Sequence, residues 1–389
     1  MVSKTRLNVW MIAKWYPNPD DPQLGVFIQK HAQAISRYND VSILYIHADP
    51  LQNEKNKIIE VDESGLYELI IIYKGDTSIF RKVINPFRYF CSVKKGIKIL
   101  SDKKRNPDLL HSYILTRTAM VCWRLSNKYK IPFIISEQWS GFLTAKYSGF
   151  SWLKKYIIRF LISRSAAVTC VSKVLAKKMN EHRLSNSNYQ IIPNVIETPD
   201  IKVKQSFSDY VNVLLVADLV DDIKNISGVI SMISGLPPGV KFRLNIIGRG
   251  RDEIMLKNLA RQYNLLDKTI FFLGLKTNKE VYNYLQDSDF LIMNSRFETF
   301  SLICAEAMSC GKPVLASRCG GPEEFVTDKT GILFKPDDNE ELKEKFLFML
   351  DHYREYNALQ ISDYANQLFS SKSTGKKFDN LYKSVVQAQ

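Results

Sequence analysis

The sequence predicts an α/β protein of two domains, each built on a mainly parallel sheet. Short apolar runs alternate with stretches of helical periodicity along the 389 residues, which is the pattern of strand–helix–strand units. A single hydrophobic core rarely serves so long a chain. The pattern is interrupted by the proline-containing segment 193–200 and the polar segment 202–209, which mark the best domain boundary.

We therefore place the first domain at residues 1–195 and the second at 196–370, and we expect residues 371–389 to form a helix that packs back on the first domain. The chain is 45% hydrophobic and 24% charged, which is the composition of a globular protein with sizeable cores.

The first domain begins with a strand at 7–13, a proline-rich loop and a helix at 26–35. Gly25 stands just before this helix, where a glycine lets a ligand approach the N–H groups. Further strands are predicted at 41–46, 67–73 and 108–114, with a helix at 87–103. We expect the strand of residues 108–114 to end at His111, either as a hydrogen-bonded structural residue or as part of a site. An apolar run from residue 132 leads into a polar loop carrying Glu137 and Trp139.

The second domain begins with the apolar strand 211–217, followed by Lys224 near a helix start, a candidate phosphate ligand. Strand 243–248 ends in a turn containing Gly248 and Gly250, ahead of a helix that begins near Asp252. A glycine turn between a strand and a helix is a place where a ligand can touch backbone, although this motif alone is weak evidence.

The most informative stretch contains Glu298 and Glu306, between two predicted strands at 289–294 and 313–316. On a helix, eight positions place the second glutamate two turns along and about 80° around, so both carboxylates face one cleft. The N–H groups of Thr299, Phe300 and Ser301 lie between them at the helix start, where phosphate binds well. Carboxylates bind sugar hydroxyls, so the stretch predicts a nucleotide-sugar site.

The formal net charge of +14 predicts an anionic partner. Nucleic acid ranks low because the basic segments contain no known RNA- or DNA-binding module. The stretch from Tyr147 to Arg164 mixes aromatic and apolar residues with Lys154, Lys155 and Arg159. Such a helix lies on an anionic membrane surface or, equally, packs its apolar stripe on the sheet.

The six cysteines show no CxxC pair and no metal-ligand spacing, which favours reduced core residues in a cytoplasmic protein. The apolar patch 7–13 is too short for a signal peptide, and no run approaches 18 apolar residues.

Taken together, these motifs resemble those of retaining glycosyltransferases with the GT-B fold, in glycosyltransferase family four. The resemblance spans nearly the whole chain, and E-x7-E followed by GKPV and GGPEE is highly specific. In chain order the matching pieces are Trp15-Tyr-Pro, Gly25-Val-Phe, 107–111 (PDLLH), 136–139 (SEQW), Val171-Ser172, 192–194 (IPN), Lys224, 248–250 (GRG), 272–274 (FLG), E-x7-E at 298–306, 311–314 (GKPV) and 320–324 (GGPEE).

The resemblance implies two Rossmann-like domains facing across a cleft, with a UDP- or GDP-type nucleotide-diphospho-sugar held mainly by the second domain. Glu306 would bind the ribose and Glu298 the donor sugar, while Lys224 and the 299–301 amides would hold the diphosphate. The nucleoside would be bordered by Gly248, Gly250, Leu273 and Leu275. In the first domain, Gly25 would approach the phosphates, His111 would face the donor sugar, and Glu137 and Trp139 would lie on the acceptor or sugar side. No metal and no cofactor is implied.

Two positions depart from the family pattern. The family usually has an arginine in a Gly-Arg-Leu-like context before the phosphate lysine, where this chain has Ala217, Asp218 and Leu219. Arg249 or Lys276 is a candidate substitute; otherwise the donor is held differently or the activity is weak. Gln138 stands where the family often has histidine.

The leading hypothesis is a sugar transferase for bacterial surface-polysaccharide assembly, acting on a glycan or lipid-linked acceptor at the cytoplasmic face of the membrane. The alternatives are a non-catalytic nucleotide-sugar-binding partner of another transferase and a GT-B nucleotide-sugar epimerase.

Overall fold

The computed structural model describes residues 6–63, 65–104, 106–115, 117–201 and 209–388. The chain divides into two compact units, the first unit (Met1–Val195 with Ser371–Gln389) and the second unit (Ile196–Ser370). Most of the polar segment at 202–209 lies outside the described residues. Within the described residues, no helix combines the length and apolar character needed to cross a bilayer.

The first unit is built on an eight-stranded sheet in the order β3-β4-β2-β1-β5-β6-β7-β8. All neighbouring strands pair in parallel except β3 and β4, which are antiparallel. The strands are β1 (Asn8–Ala13), β2 (Asp40–Asp49), β3 (Asn56–Glu63), β4 (Leu66–Lys74), β5 (Leu109–Tyr113), β6 (Phe133–Glu137), β7 (Ala167–Cys170) and β8 (Tyr189–Ile191).

Helices cover both faces of this sheet. They are α1 (Val26–Ser36), α2 (Arg81–Lys103), α3 (Arg117–Tyr129), α4 (Trp152–Arg164), α5 (Lys173–Glu181) and, from beyond the second unit, α13 (Ser371–Gln387). Met11 of β1 joins the buried core that α1 and α13 complete. Its neighbour Trp10 lies on the opposite face because side chains alternate along a strand, and there it contacts Tyr129 of α3.

The second unit is a six-stranded parallel sheet in the order β11-β10-β9-β12-β13-β14. Its strands are β9 (Val211–Val216), β10 (Phe242–Ile247), β11 (Ile270–Gly274), β12 (Phe290–Met293), β13 (Val314–Ser317) and β14 (Gly331–Phe334). Its helices are α6 (Asp221–Lys224), α7 (Ile226–Ser234), α8 (Glu253–Gln262), α9 (Asn278–Asp287), α10 (Leu302–Ser309), α11 (Asn339–His352) and α12 (Ala358–Phe369). The order of the strands reverses between β9 and β12, and ligands of open α/β sheets bind at such a switch point.

The helix α13 completes the core of the first unit. Phe378 and Tyr382 are fully buried there, and the phenolic hydroxyl of Tyr382 lies 2.6 Å from Nδ1 of His111. Asp379 is also buried and accepts from Lys376 and Lys383 of the same helix. The buried apolar side chains of α13 thus pack it against the sheet, and its buried carboxylate is paired within the helix.

Three sequence-based expectations are wrong in detail. The helix predicted from residue 87 begins at Arg81, six residues earlier, and contains Pro86. The strand predicted to end at His111 continues to Tyr113, so this histidine lies in mid-strand. Cys91 is exposed on α2, whereas the five other cysteines are buried as expected.

Candidate active site

The carboxyl ends of the second unit's strands bring the predicted donor-site residues of that unit to one edge. Lys224 ends the short helix α6 that follows β9, and Glu298 follows β12, the strand beside β9. The two side chains form an ion pair, with Nζ of Lys224 2.5 Å from Oε1 of Glu298. The hydroxyl of Ser295 donates to the same carboxylate oxygen at 3.0 Å. The switch point thus carries a paired lysine and glutamate.

Charge at this pair favours the protonated lysine. Burial works to lower the pKa of Lys224, but the charge of Glu298, its hydrogen bond and the charge of Asp218 together raise it. Lys224 is therefore a cation at neutral pH, able to face a phosphate while it also holds Glu298.

Glu298 does not lie on the helix that carries Glu306, which corrects the prediction of a helix spanning both. Its backbone forms a strand-like bridge to the segment after β13: its N–H donates to the carbonyl of Cys319, and Gly321 donates to its carbonyl. Helix α10 begins only at Leu302, after Ser301 in a left-handed conformation (φ 70°). The 80° geometry expected for the two carboxylates therefore does not apply.

The backbone from Thr299 to Ser301 forms the N-terminal approach to α10. None of its three N–H groups donates to a described residue. Gly321 packs against this segment so closely that a Cβ atom at residue 321 would lie 2.5 Å from the Cα of Phe300. The segment is thus held in place, with donors of the kind that bind phosphate.

The glycine turn after β10 packs against the loop after β9. A Cβ atom on Gly248 would lie 1.9 Å from the carbonyl oxygen of Ala217, and one on Gly250 would lie 2.2 Å from that of Leu219. The N–H of Gly248 donates to the carbonyl of Gly274 at 3.0 Å, which places the end of β11, with Leu273 and Leu275, beside the same turn. The glycines are therefore needed for backbone packing, whatever else they contact.

Arg296 is a residue of this site that sequence reasoning missed. Its guanidinium donates to the carbonyl of Asp221, to Oδ1 of Asn225 and to Asp337. Its own N–H donates to the carbonyl of Ile223. The arginine thus fixes the loop that ends in Lys224, and no local motif in the sequence signals these long-range contacts.

Glu306 lies on the second turn of α10 and is half-buried. Burial, and after it the charge of Glu306, raises the pKa of the Tyr282 phenol. Burial raises the pKa of the Cys310 thiol to about 12, and Glu306 adds to this increase. The assignment of Glu306 to the ribose stays a prediction.

Neither candidate for the missing arginine is placed beside Lys224 by a described contact. Arg249 is exposed, and its carbonyl accepts from the N–H of Leu219. The ammonium of Lys276 lies 4.0 Å from Glu280 of α9. Asp218 is near enough to act on Lys224, so the pair at the switch point has a second carboxylate close by.

In the first unit, His111 lies inside the core. It is 0% exposed, and its ring nitrogens are 2.6 Å from the hydroxyls of Tyr382 and Ser136. Burial, with the nearby charge of His31, lowers its pKa well below the usual value. These contacts match the structural interpretation of the histidine, and contact with a donor sugar stays a prediction without a described contact to support it.

Glu137 is buried at the end of β6 and organises two loops. Its carboxylate accepts N–H groups of Leu115, Gln138 and Trp139, each at 2.8 Å. Burial raises its pKa, while these three donors and the charge of Lys14 oppose the increase. The ring of Trp139 stacks on Phe150 with centroids 5.6 Å apart. Both residues therefore shape the loops at the sheet edge.

Gly25 is the N-cap of α1, with φ 70°. A Cβ atom there would lie 2.6 Å from the carbonyl carbon of Trp15, so a larger residue would displace the loop after β1. The glycine holds the loop against the helix start, and an approach to phosphate stays a prediction.

Structural comparison defines the class of protein. The structure is similar to that of sucrose-phosphate synthase from Thermosynechococcus elongatus (TM-score 0.77, 17% identity, 99% of this chain and 100% of that one). It is also similar to HepE of Anabaena in complex with UDP and glucose (TM-score 0.71, 15% identity, 97% and 100%). The chain has the GT-B fold.

Comparison with models of protein families identifies the family of the chain. The model described as "Glycosyltransferase Family 4" matches residues 77–199, and "Glycosyl transferases group 1" matches residues 197–366. The chain belongs to glycosyltransferase family four. An uncharacterized glycosyltransferase of Methanocaldococcus jannaschii is 30% identical over 247 residues, 63% of this chain and 66% of that protein. The match thus spans just under two thirds of that relative's length.

Proposed function

We propose that the protein transfers a sugar from a nucleotide-diphospho-sugar to an acceptor hydroxyl with retention of anomeric configuration. One observation carries the proposal: the pair of Lys224 and Glu298 lies beside the unpartnered amides of 299–301 at the switch point of the second unit. A lysine and backbone donors suit a diphosphate, and a carboxylate suits sugar hydroxyls.

The chemistry follows from where charge develops. As the bond to the donor sugar breaks, negative charge accumulates on the leaving diphosphate. Lys224 and the amides at the start of α10 would stabilise that charge, and Glu298 would position the sugar. A leaving group held in this way does not require a metal ion, so we propose that transfer proceeds in the presence of EDTA.

Gly321 offers a direct test of the donor site. Gly321→Ala pushes a methyl group into the backbone of Phe300 and should displace the 299–301 amides. We expect calorimetry to show weaker binding of UDP or GDP, by about 2 kcal/mol, since charge-assisted hydrogen bonds contribute roughly 1.5–3 kcal/mol. The matched control is Gly235→Ala, which would meet only one atom, at 3.6 Å. Equal affinities of wild type and Gly321→Ala would exclude this diphosphate site.

Glu306→Ala tests the ribose assignment in the same assay. We expect weaker nucleotide binding because a carboxylate that accepts two hydroxyls is lost. Unchanged affinity for the nucleoside diphosphate would show that Glu306 does not contact the ribose.

We further propose that the acceptor is a glycan or a lipid-linked sugar of bacterial surface polysaccharide, and that α4 meets an anionic membrane surface. Trp152, Leu153 and Tyr156 in its first turns are 78%, 52% and 63% exposed, next to Lys154 and Lys155. Replacing Lys154, Lys155 and Arg159 by glutamine should reduce cosedimentation with anionic liposomes. An unchanged bound fraction would remove α4 from the membrane contact.

A non-catalytic nucleotide-sugar-binding partner is the second candidate, and Asp218 beside Lys224 is the observation that favours it. A panel of nucleotide sugars, read out by thermal shift and then by donor turnover, separates the two. Stabilisation without transfer or hydrolysis would favour the partner. If transfer is observed, NMR of the product tests whether the transferred sugar keeps its anomeric configuration.

A further inference from the structure

Helix α2 of the first unit carries one continuous stripe of side chains. Val83, Phe87, Phe90, Lys94 and Lys98 follow at spacings of four, three, four and four, which keeps them on one helix face. The first two are 73% and 70% exposed. The N-terminal half of the stripe is therefore apolar and exposed to solvent, and the C-terminal half is basic.

Two more apolar side chains extend the open end. Ile79 and Phe80 directly precede α2 and are 88% and 63% exposed. Single exposed apolar residues are ordinary, but several at one helix start indicate an interaction site.

The basic half of the stripe borders a groove between α2 and α3, of about 500 Å³. Its apolar lining comes from both helices, with Val93 and Ile97 from α2 and Val121 and Leu125 from α3. A groove of this lining accommodates a hydrocarbon chain.

Four cations line the same groove: Lys94 and Lys98 of α2, and Arg124 and Lys128 of α3. No Asp or Glu lines it, and none of the four forms an ion pair with a described residue. The guanidinium of Arg124 lies over the Phe90 ring at 5.7 Å, so the basic and apolar parts are in contact. The groove thus combines an apolar lining with uncompensated positive charge.

We propose that this groove binds an acidic phospholipid of a bilayer, with the headgroup phosphate on the four cations, one acyl chain along the apolar lining, and residues 79–87 inserted among neighbouring lipids. Basic residues above apolar side chains are the arrangement that anionic membranes attract. Single-stranded nucleic acid would instead need a series of stacking rings along a polar channel. The site differs from α4 and does not depend on the proposed sugar transfer.

The test compares two variants of the full chain that lose the same charge. In one, Lys94, Lys98, Arg124 and Lys128 become glutamine; in the control, the exposed Lys55, Lys57, Lys173 and Lys177 become glutamine. Binding is measured by flotation with vesicles of phosphatidylcholine alone or with phosphatidylglycerol added. We expect the groove variant to lose at least about tenfold in partitioning onto phosphatidylglycerol vesicles, and the control to lose much less.

A second variant tests insertion without touching the core, because Val83→Ser and Phe87→Ser change exposed side chains. It should bind the acidic vesicles more weakly than the wild type, with an unchanged melting temperature. Equal losses in the groove variant and its control would overturn the proposal, since only net charge would then matter. Absence of wild-type binding to acidic vesicles would overturn it in favour of a protein partner. A raised KM for a lipid-linked acceptor with unchanged vesicle binding would overturn it in favour of the acceptor.

Discussion

The two units of the molecule carry opposite charge. The residues of the first unit include 34 Lys and Arg against 15 Asp and Glu, an excess of 19 positive charges. Those of the second include 20 against 25, an excess of five negative charges. The overall +14 thus belongs to the first unit, although the phosphate-binding lysine predicted from the sequence lies in the second.

The units also hold their cations differently. In the second unit, Lys224 pairs with Glu298, Arg296 with Asp337 and Arg251 with Asp222. In the first, Lys103 pairs with Glu60 and Lys104 with Asp62, whereas the four cations of the α2–α3 groove form no ion pair with a described residue. The comparison teaches that net charge and the chemical site are separate properties here: one unit positions a few charges, and the other presents many to a surface.

The largest expected effect is the unfolding of the first unit alone, caused by deletion of α13. Removal of residues 371–388 takes the buried Phe378, Leu381 and Tyr382 from the first unit, and each buried aromatic contributes about 3–5 kcal/mol. We expect the first unit to unfold and the second to keep its affinity for a nucleoside diphosphate.

All five tryptophans lie in the first unit, so tryptophan fluorescence follows its unfolding alone while calorimetry follows the second unit. Native fluorescence in the truncated chain would show that α13 is dispensable. Loss of nucleotide binding would show that the second unit depends on the first.

The next effect belongs to the second unit. Lys224→Ala should lower kcat by about 10²–10³, the loss typical when one donor to a developing charge is removed, while fluorescence and melting of the first unit stay unchanged. Lys329→Ala is the matched control, since Lys329 is an exposed lysine of the same unit to which no role is assigned. A similar loss of turnover in the control would show that the effect is not specific to Lys224.

The third effect is a pH dependence of the unfolding free energy of the first unit, and in free energy it is similar in size to the second. His31 is fully buried between the Tyr113 hydroxyl and the Pro193 carbonyl, and burial lowers its pKa to about 4. The unfolded chain takes up a proton near pH 6.5, so stability is complete above that pH and decreases as the pH falls towards 4. The change amounts to roughly 3 kcal/mol.

Urea titrations at pH 7 and pH 4.5, followed by tryptophan fluorescence, measure this loss. His31→Gln should reduce the pH dependence and leave the part that the buried His111, whose pKa is also lowered, contributes. His352→Gln, in the second unit, should leave the pH dependence as in the wild type. A free energy of unfolding independent of pH would exclude a neutral buried His31.

The smallest effect concerns surface pairs. Arg251 and Asp222 are each 64% exposed, and exposed pairs contribute at most about 1 kcal/mol. We expect Arg251→Ala to leave the urea midpoint of the second unit unchanged within error. A lowered midpoint would mean that surface pairing stabilises this unit, which would sharpen the contrast with the first.

Local pattern was sufficient for much of this molecule. The strand predicted at 211–217 begins as predicted and ends one residue earlier, as β9 (Val211–Val216), because its apolar run is a strong local signal. The glycine turns are where the sequence places them, because few residue types other than glycine tolerate a positive φ or a close approach of the backbone. The sequence places Glu298 and Lys224 after strands of one parallel sheet, but it does not predict their ion pair, which the structure shows.

The remaining features depend on contacts far apart in the chain. The helix predicted from residue 87 begins at Arg81, and Pro86 lies in its second turn. Arg296 contacts residues that lie up to 75 positions away. Ser301 adopts φ 70° between Phe300, against which Gly321 packs, and the start of α10. None of these features leaves a periodic signal.

The position of α13 has a consequence for synthesis. The first unit lacks part of its core until this helix has emerged from the ribosome, and the 196–370 segment must be translated first. At about 5–20 residues per second this takes roughly 10–35 s, during which the second unit has time to fold. The unit encoded first is therefore completed last, and until then the apolar part of its sheet that α13 covers in the folded chain stays open to solvent.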